Sequence, residues 1–264
     1  MPHYLPFNAE GWRGLVLAGW EDVFAKFDTW LAESEGARIV NLPSRQVWRT
    51  ETPKGVVFVK VIYRASEVKG LLRGTFASLK WLLRPSRALA TLRISESLLN
   101  AGFECPVPVL AARRRTRTGW PVDVFISAER RESNLSDQMS GLGRAEIESL
   151  LERVAVEMNR FHGSGFVHGD CIPPNLALIE SGRLVFFDND RTARAPWFRP
   201  RYAQRRNLIQ FGYRLTRQLE EESYLDFFLK AYVGAGEGAA VGPGGTEYIV
   251  QAVRRRLRKG GGFN

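Results

Sequence analysis

The amino-acid sequence predicts a two-lobed α+β fold, in which a small antiparallel β-sheet with one helix precedes a larger, mainly helical lobe. Strand-like segments cluster before residue 130, one amphipathic helix interrupts them, and helical periodicity dominates after residue 143. The chain has 264 residues, 44% of them hydrophobic, which is enough to bury the cores of two lobes. We expect an N-terminal helical extension over residues 1–35, the small lobe over 36–128 and the helical lobe over 129–264.

The strands of the small lobe are predicted from β-branched runs bounded by turn residues. Pro53-Lys54-Gly55 supplies a turn between the second and third runs, and Thr118-Gly119 supplies one between the last two. Short turns join antiparallel strands, so one antiparallel sheet is expected. The predicted strands are residues 38–41, 47–50, 56–63, 109–114 and 122–128.

Two helical segments are predicted in the first half of the chain. From Gly11 to Glu33, apolar residues such as Trp20 and Trp30 recur at helical spacing, which indicates one or two amphipathic helices. Ser86 is placed to cap a further helix over residues 87–101, which Gly102 would end.

The helical lobe begins with a long amphipathic pattern after Gly143. Two short strands, at 176–179 and 184–187, interrupt it around the turn residues Ser181-Gly182. The rest of the chain is expected to be mostly helical. The apolar face of the first long helix is formed by Ile147, Leu150, Leu151, Val154, Met158 and Phe161.

The charge of the chain favours an anionic partner. Thirty-eight Lys and Arg against 28 Asp and Glu give a formal net charge of +10, which suits phosphates, nucleic acid or an acidic membrane. No groove-reading or RNA-stacking motif accompanies this charge, so nucleic acid is not expected as a partner. The two cysteines, Cys105 and Cys171, lack metal-ligand spacing and fit a reducing compartment.

Localisation is predicted from what the sequence lacks. Its N-terminus has no secretion-signal pattern, and no apolar run approaches the roughly 20 residues that span a bilayer. We therefore expect a cytoplasmic protein, either free or peripheral on the inner face of the cell membrane.

The most informative motif places three polar side chains at the ends of apolar segments. Phe166-Val167-His168-Gly169-Asp170 is followed five residues after the aspartate by Asn175, and the second short strand leads to Asp188. The hairpin between them brings Asp188 back beside the loop that carries Asp170 and Asn175. Phosphoryl transfer needs a carboxylate that accepts the proton of the attacking hydroxyl, together with oxygen ligands for Mg²⁺. The alternative is a hairpin with solvated turn carboxylates.

This arrangement resembles the catalytic loop of the protein-kinase-like superfamily, in which His-Arg-Asp or His-Gly-Asp precedes an Asn five residues after the Asp. Asp188-Asn189-Asp190-Arg191 is similar to the Asp-x-Asp-Arg sequence of the Kdo/WaaP lipopolysaccharide kinase family. Residues 83–88 and 101–108 are also similar to that family, and the resemblance covers residues 38–215. It implies a protein-kinase-like fold, with Asp170 as the catalytic base and with Asn175 and Asp188 as Mg²⁺ ligands.

The resemblance also implies residues that bind ATP. Lys60 corresponds to the strand lysine that contacts nucleotide phosphates, and a lysine among β-branched residues is costly to bury without an anionic partner. A lysine on an exposed strand face is the alternative. The family's acidic partner position falls at Thr91, so Glu96, which borders the inward face of the same helix, is the better candidate. A solvated Glu96 is the alternative there.

The loop that would cover the phosphates, residues 41–46, contains no glycine. Backbone N–H groups of Ser44 or Arg45 are candidates for phosphate contact in its place. The missing glycines leave a non-catalytic, kinase-like nucleotide-binding protein as an alternative. Against it, Asp170, Asn175, Asp188 and Lys60 are all present, and the loss of one of these is the usual mark of an inactive relative.

Arginines follow Asp188 and suit an anionic acceptor. Arg191 and Arg194 begin a series of six arginines within sixteen residues, interleaved with Trp197, Phe198 and Tyr202. Guanidinium groups bind phosphate and carboxylate in a bidentate manner. Arg191 and Arg194 are therefore candidate substrate-binding residues, with solvated surface arginines as the alternative.

Together, the resemblance implies an ATP- and Mg²⁺-dependent kinase that phosphorylates a sugar hydroxyl, on Kdo or heptose, of the lipopolysaccharide inner core. Its expected partner is an anionic glycolipid or lipopolysaccharide precursor. Basic segments at residues 69–87 and 254–259 predict peripheral contact with an anionic membrane. A kinase of another small-molecule or protein hydroxyl is the alternative function.

Overall fold

The structure is a computed structural model that describes residues 2–36, 38–63, 85–117, 119–236, 241–242 and 244–259. Contacts between residues divide the chain into two units. The first contains Met1–Asn100 and Pro106–Arg130, and the second contains Ala101–Cys105 and Arg131–Asn264. Most of the basic segment predicted at residues 69–87 lies outside the described residues.

An antiparallel sheet forms the centre of the first unit. Its seven described strands lie in the spatial order β1-β2-β6-β7-β5-β4-β3. The five strands predicted from the sequence are confirmed as β3 to β7. The strands are β1 Tyr4–Ala9, β2 Trp12–Leu17, β3 Arg38–Leu42, β4 Arg45–Thr52, β5 Gly55–Ile62, β6 Pro108–Arg115 and β7 Pro121–Ala128.

The first two strands form a hairpin where the sequence analysis predicts helix. Glu10 and Gly11 join them with φ values of +50° and +82°, the left-handed turn that matches the twist of a two-residue hairpin. Trp12 and Val16 are buried on one face of β2. Residues four apart share a face in a helix and also in a strand, so their spacing did not distinguish the two.

The helical prediction for residues 11–33 is correct only at its end. Asp22–Phe24 forms one 3₁₀ turn, and helix α1 covers Phe27–Glu33. The aromatic side chains of this segment pack into the same core as Trp12 of β2 and Trp48 of β4. Residues 1–35 therefore lie within the sheet unit, and the prediction of a separate helical extension is wrong.

Helix α2, Arg87–Asn100, packs on β6 and β7. As predicted, Ser86 caps it, since the N–H of Leu89 donates to Ser86 Oγ over 3.3 Å. Buried Asp123 of β7 accepts hydrogen bonds from Ser86 Oγ at 2.8 Å and from the N–H of Arg87 at 3.0 Å. The start of α2 is thereby bonded to the sheet.

The second unit is mainly helical, and its predicted long helix and hairpin are confirmed. Among its described residues, no helix has both the length and the apolar character needed to cross a membrane. Its elements are α3 Leu135–Met139, α4 Arg144–Gly163, β8 Phe166–Val167, β9 Leu176–Leu178, β10 Leu184–Phe186, β11 Ala193–Arg194, α5 Pro200–Leu219, α6 Ser223–Gly234 and α7 Gly245–Lys259.

An aromatic cluster packs strands β8 and β10 against helix α4. The rings of Phe161 of α4 and Phe186 of β10 stack with their centroids 4.2 Å apart. Phe103 packs edge-on against Phe161 at 5.3 Å and against Phe166 at 5.8 Å. Each such pair contributes about 0.5–1.5 kcal/mol beyond its burial. The cluster fixes β8 and β10, whose ends carry the polar motif, against the long helix.

Candidate active site

The loop between β8 and β9 places Asp170 beside Asn175. The Asn175 amide nitrogen Nδ2 donates to the backbone carbonyl of Asp170 at 2.9 Å and to its carboxylate Oδ2 at 3.2 Å. Because Nδ2 is used in this way, the amide oxygen Oδ1 is the atom of Asn175 available to a metal ion. The structure thus brings together the predicted base and one predicted metal ligand.

Asp188 reaches the same loop from the end of β10. The N–H of Phe187, the residue before it, donates to the carbonyl of Asn175 at 2.9 Å. Asp188 itself adopts the left-handed conformation, with φ +48° and ψ +57°. Such a conformation is uncommon outside glycine and clusters at functional sites. The backbone at Asp188 therefore lies beside the loop that carries Asp170 and Asn175.

His168 connects the two segments that carry the aspartates. Its Nε2 donates to the carbonyl of Phe187 at 2.8 Å, and its Nδ1 accepts the N–H of Asp170 at 3.2 Å. This pattern assigns the proton of the neutral ring to Nε2. Burial lowers the pKa of His168, although the Phe187 carbonyl and the charges of Asp188 and Asp170 oppose that effect. His168 acts as a neutral brace.

A buried chain of hydrogen bonds holds His168 from helix α5. Asn207 Oδ1 accepts the N–H of His168 at 2.8 Å, and Asn207 Nδ2 donates to the carbonyl of His168. The same Oδ1 lies 3.2 Å from Nε2 of His162, whose Nδ1 lies 2.8 Å from the hydroxyl of Tyr232. Burial lowers the pKa of His162 to about 4. A neutral His162 that donates from Nε2 and accepts at Nδ1 satisfies both contacts.

Gln210, which the sequence analysis does not identify, contacts the predicted base directly. Its Nε2 donates to Asp170 Oδ1 at 2.6 Å. Gln210 lies three residues after Asn207, so both amides lie on one face of α5. Gln204, Asn207 and Gln210 recur every three residues along α5, and this row of amides is the signal from which Gln210 could have been found.

Arg191 and Gly169 are in close contact. A Cβ at Gly169 would lie 2.1 Å from Arg191 Cβ and 2.3 Å from the carbonyl oxygen of Arg191. The glycine is thus required for the segment after Asp188 to pass close to the catalytic loop. The side chain of Arg191 is exposed.

Arg194 is also exposed but has partners within the protein. Its guanidinium donates to the carbonyl of Ser164 at 2.8 Å and lies 3.9 Å from the centroid of the Phe166 ring. Part of its donor capacity is therefore used to hold β8 and β11 together.

The residues predicted to bind the nucleotide lie in the first unit. Lys60 is half-buried on β5, opposite Val47 of β4 and Phe125 of β7. Phe125 packs against the cluster that includes Leu92 of α2. Cross-strand neighbours share a face of the sheet, so Lys60 lies on the face that α2 covers. Glu96 is half-buried on α2, and its pairing with Lys60 stays a prediction.

Ser44 and Arg45 lie at the tight turn between β3 and β4. Leu42 pairs with Arg45, which leaves only Pro43 and Ser44 between the strands. The carbonyl of Ser44 accepts the N–H of Tyr63 at 3.0 Å. The predicted phosphate loop is therefore a two-residue turn. Neither Pro43 nor Ser44 has a positive φ, so the turn does not require glycine.

The donor set of the second unit fits Mg²⁺. The described residues contain no group of three or more His, Cys, Asp or Glu side chains that could hold a metal ion. Mg²⁺, however, takes one or two carboxylates from the protein and completes its shell with waters and substrate phosphates. The Asp188 carboxylate and Asn175 Oδ1 match an ion of this kind that arrives with a nucleotide.

Comparison with known proteins identifies a family and a fold. The model of the lipopolysaccharide kinase (Kdo/WaaP) family matches residues 29–232. The solved structure described as WaaP in complex with acyl carrier protein is 16% identical, with a TM-score of 0.63 over 92% of this chain and 96% of that chain. At this identity the likeness shows the fold alone, which is kinase-like.

A MAP kinase from Leishmania major is 15% identical, with a TM-score of 0.44 over 91% of this chain and 73% of that chain. That score is too low to support a conclusion. A search of curated proteins gives no significant match.

Proposed function

The chain belongs to the lipopolysaccharide kinase (Kdo/WaaP) family, and on this basis we propose that it phosphorylates a hydroxyl of Kdo or heptose in the lipopolysaccharide inner core. Members of the family are kinases, which transfer a phosphoryl group to a sugar hydroxyl. The observation that carries the proposal is the Asp170 carboxylate, held at Oδ2 by Asn175 and at Oδ1 by Gln210, beside the chain segment of Asp188.

In this proposal Asp170 orients the attacking sugar hydroxyl and accepts its proton. The hydroxyl oxygen forms a bond to the γ-phosphorus of ATP as the bond from that phosphorus to the β,γ-bridging oxygen breaks and ADP leaves. Asn175 Oδ1 and Asp188 would hold Mg²⁺, which supplies positive charge to the phosphate oxygens when bound. His168 keeps the backbones of both segments in register by its two hydrogen bonds.

We assign nucleotide binding to the first unit. Lys60 would contact phosphate oxygens, and Glu96 would orient the ammonium group of Lys60. The N–H groups of Ser44 and Arg45 are the candidates for further phosphate contacts. The position of Lys60 on a central strand, flanked by β4 and β7, supports this assignment because the strand holds its backbone rigidly.

Arg191 and Arg194 are proposed to bind acidic groups of the acceptor. Both are exposed, and they lie three and six residues after Asp188 in the chain. An inner-core acceptor carries carboxylates and phosphates, which guanidinium groups bind in a bidentate manner. Arg191 is the stronger candidate, since Arg194 already donates to Ser164.

We further propose that the enzyme works at an anionic membrane surface. Trp197, Phe198 and Tyr202 are exposed by 90%, 65% and 60%, next to exposed Arg199 and Arg201. No Asp or Glu occurs between residues 191 and 219. Aromatic rings at the headgroup level together with arginines are typical of membrane-interface contacts.

The membrane proposal is tested by co-sedimentation with vesicles of phosphatidylethanolamine and phosphatidylglycerol. The Trp197→Ser/Phe198→Ser variant is expected to lose vesicle binding and to keep its melting temperature. Equal binding by wild type and variant would remove this segment from the membrane contact. The solved structure of WaaP contains acyl carrier protein, so a pull-down with acyl carrier protein tests whether this chain also binds a protein partner.

The acceptor is identified by a transfer assay with Mg·[γ-³²P]ATP. Kdo-lipid A, heptosylated core, an aminoglycoside and a generic protein are offered separately to the purified enzyme. Label on one lipopolysaccharide species alone would support the proposal and identify the sugar. Label on the aminoglycoside or protein alone would contradict it and favour a kinase of another hydroxyl.

A further inference from the structure

We propose that Gln210 is a positioning residue for Asp170, one that holds the carboxylate in the orientation needed for phosphoryl transfer. This role rests on the proposed function, in which Asp170 is the base. It is carried by a contact between α5 and the catalytic loop, 40 residues apart in sequence, in which Gln210 Nε2 lies 2.6 Å from Asp170 Oδ1.

The two oxygens of the carboxylate are each held by an amide. Gln210 donates to Oδ1, and Asn175 donates to Oδ2 at 3.2 Å. A carboxylate has about four lone-pair sites, two on each oxygen. Two donors on different oxygens fix the plane of the group and leave further sites for the hydroxyl of the acceptor. Without Gln210, the bond from Asn175 would be the one remaining hydrogen bond that the described residues give to this carboxylate.

Helix α5 contacts the loop at two points. Asn207 binds both backbone polar groups of His168, two residues before Asp170, and Gln210 binds the side chain of Asp170. The two amides are one helical turn apart, so a single rigid element sets both the backbone position and the side-chain orientation.

Helix α5 packs closely against helix α6 near Gln210 in the sequence. A Cβ at Gly212 would approach Leu225 Cδ1 of α6 to 2.6 Å, so α5 and α6 pack without a gap there. Gln210 is half-buried and lies two residues before Gly212 on the same helix. Because α5 is packed in this way, Gln210 can hold the Asp170 carboxylate in place before the substrate binds. Such preorganisation favours efficient proton transfer.

An amide suits this task because it is neutral. It donates one hydrogen bond to the carboxylate and adds no charge. A lysine or arginine in its place would form an ion pair with Asp170 and compete with the acceptor hydroxyl for the same oxygens.

The test compares two variants of nearly equal size with a control on the same helix. Gln210→Glu keeps the shape and replaces the donor by an acceptor, whereas Gln210→Met removes the hydrogen bond altogether. The control is Gln218→Glu. Gln218 lies on the same helix, eight residues after Gln210, and bonds to Ser136 at the surface. Measured quantities are kcat, KM for ATP and the midpoint of thermal unfolding.

Both Gln210 variants are expected to lower kcat by about tenfold to a hundredfold, because a misplaced catalytic group costs rate in this range. KM for ATP and the unfolding midpoint should stay at wild-type values, and Gln218→Glu should keep the wild-type kcat. Full kcat in Gln210→Glu and Gln210→Met would overturn the positioning role while leaving the proposed function intact.

A loss of kcat accompanied by a lower unfolding midpoint would also overturn it. The lost activity would then reflect a damaged fold and not a misplaced carboxylate. A wild-type enzyme without phosphoryl transfer to any lipopolysaccharide acceptor would contradict the proposed function, and the role of Gln210 with it.

Discussion

His168 Nε2 donates to the carbonyl of Phe187 over 2.8 Å, so one buried imidazole joins the chain before Asp188 to the chain before Asp170. The N–H of Phe187 in turn donates to the carbonyl of Asn175. Three segments that are separate in sequence are thus bonded through backbone groups. These backbone bonds hold the segments together in addition to the side-chain bonds that Asp170 accepts from Asn175 and Gln210.

Asp188→Asn is expected to weaken nucleotide binding in the presence of Mg²⁺ and to leave Mg²⁺-free binding unchanged. The substitution keeps the left-handed conformation, which asparagine tolerates, and removes the negative charge that attracts the ion. Isothermal titration with ATP, with and without Mg²⁺, measures both. Equal affinity of variant and wild type for Mg·ATP would exclude Asp188 as a metal ligand.

Gly169→Ala is expected to destabilise the protein by about 1–3 kcal/mol, as overpacking of a tight contact does. The new Cβ would meet Cβ and the carbonyl of Arg191 at 2.1 and 2.3 Å. The matched control is Gly163→Ala at the end of α4, where a Cβ has no neighbour within 4 Å. Urea denaturation should show the first variant destabilised and the second unchanged or stabilised. Similar stabilities of the two variants would contradict the close approach.

Acid is expected to destabilise the fold between pH 6.5 and pH 4 through His162. Its pKa is about 4 in the folded protein against about 6.5 when unfolded. In this window the unfolded chain binds more protons, so stability is complete above pH 6.5 and falls by about 3 kcal/mol as pH drops to 4. His162→Gln should flatten the pH dependence of the free energy of unfolding. A variant with the wild-type pH dependence would show that His162 is not its source.

Cys171 is expected to be inert in the folded protein, although it follows Asp170. Burial raises the pKa of its thiol, and the negative charge of Asp170 raises it further. Cys105 is also fully buried. Maleimide at neutral pH should therefore label neither cysteine until denaturant is added. Rapid labelling of the native protein at Cys171 would contradict the burial of its thiol.

Much of the fold and of the site is predictable from local sequence. The five strands β3 to β7 follow from β-branched runs between turn residues, and α4 follows from its apolar periodicity. The position of Asp188 beside the loop that carries Asp170 and Asn175 follows from the hairpin between them. In each case the signal lies within one short stretch of sequence that has clear boundaries.

The remainder depends on contacts between distant residues. Trp12 and Val16 fit a helix face and a strand face equally, and only the pairing of β2 with β6 selects the strand. Asn207 and Gln210 lie about 40 residues from their partners in the loop. Their roles depend on how α5 packs, which no local pattern specifies.

The measurement that tests the central assignment most directly is phosphoryl transfer by Asp170→Asn under single-turnover conditions. The substitution keeps the size of the side chain and removes the base. We expect the rate of transfer to a lipopolysaccharide acceptor to fall by about 10²–10⁴-fold, with Mg·ATP affinity and the unfolding midpoint unchanged. Transfer at the wild-type rate would show that Asp170 is not the base and would contradict the account of this site.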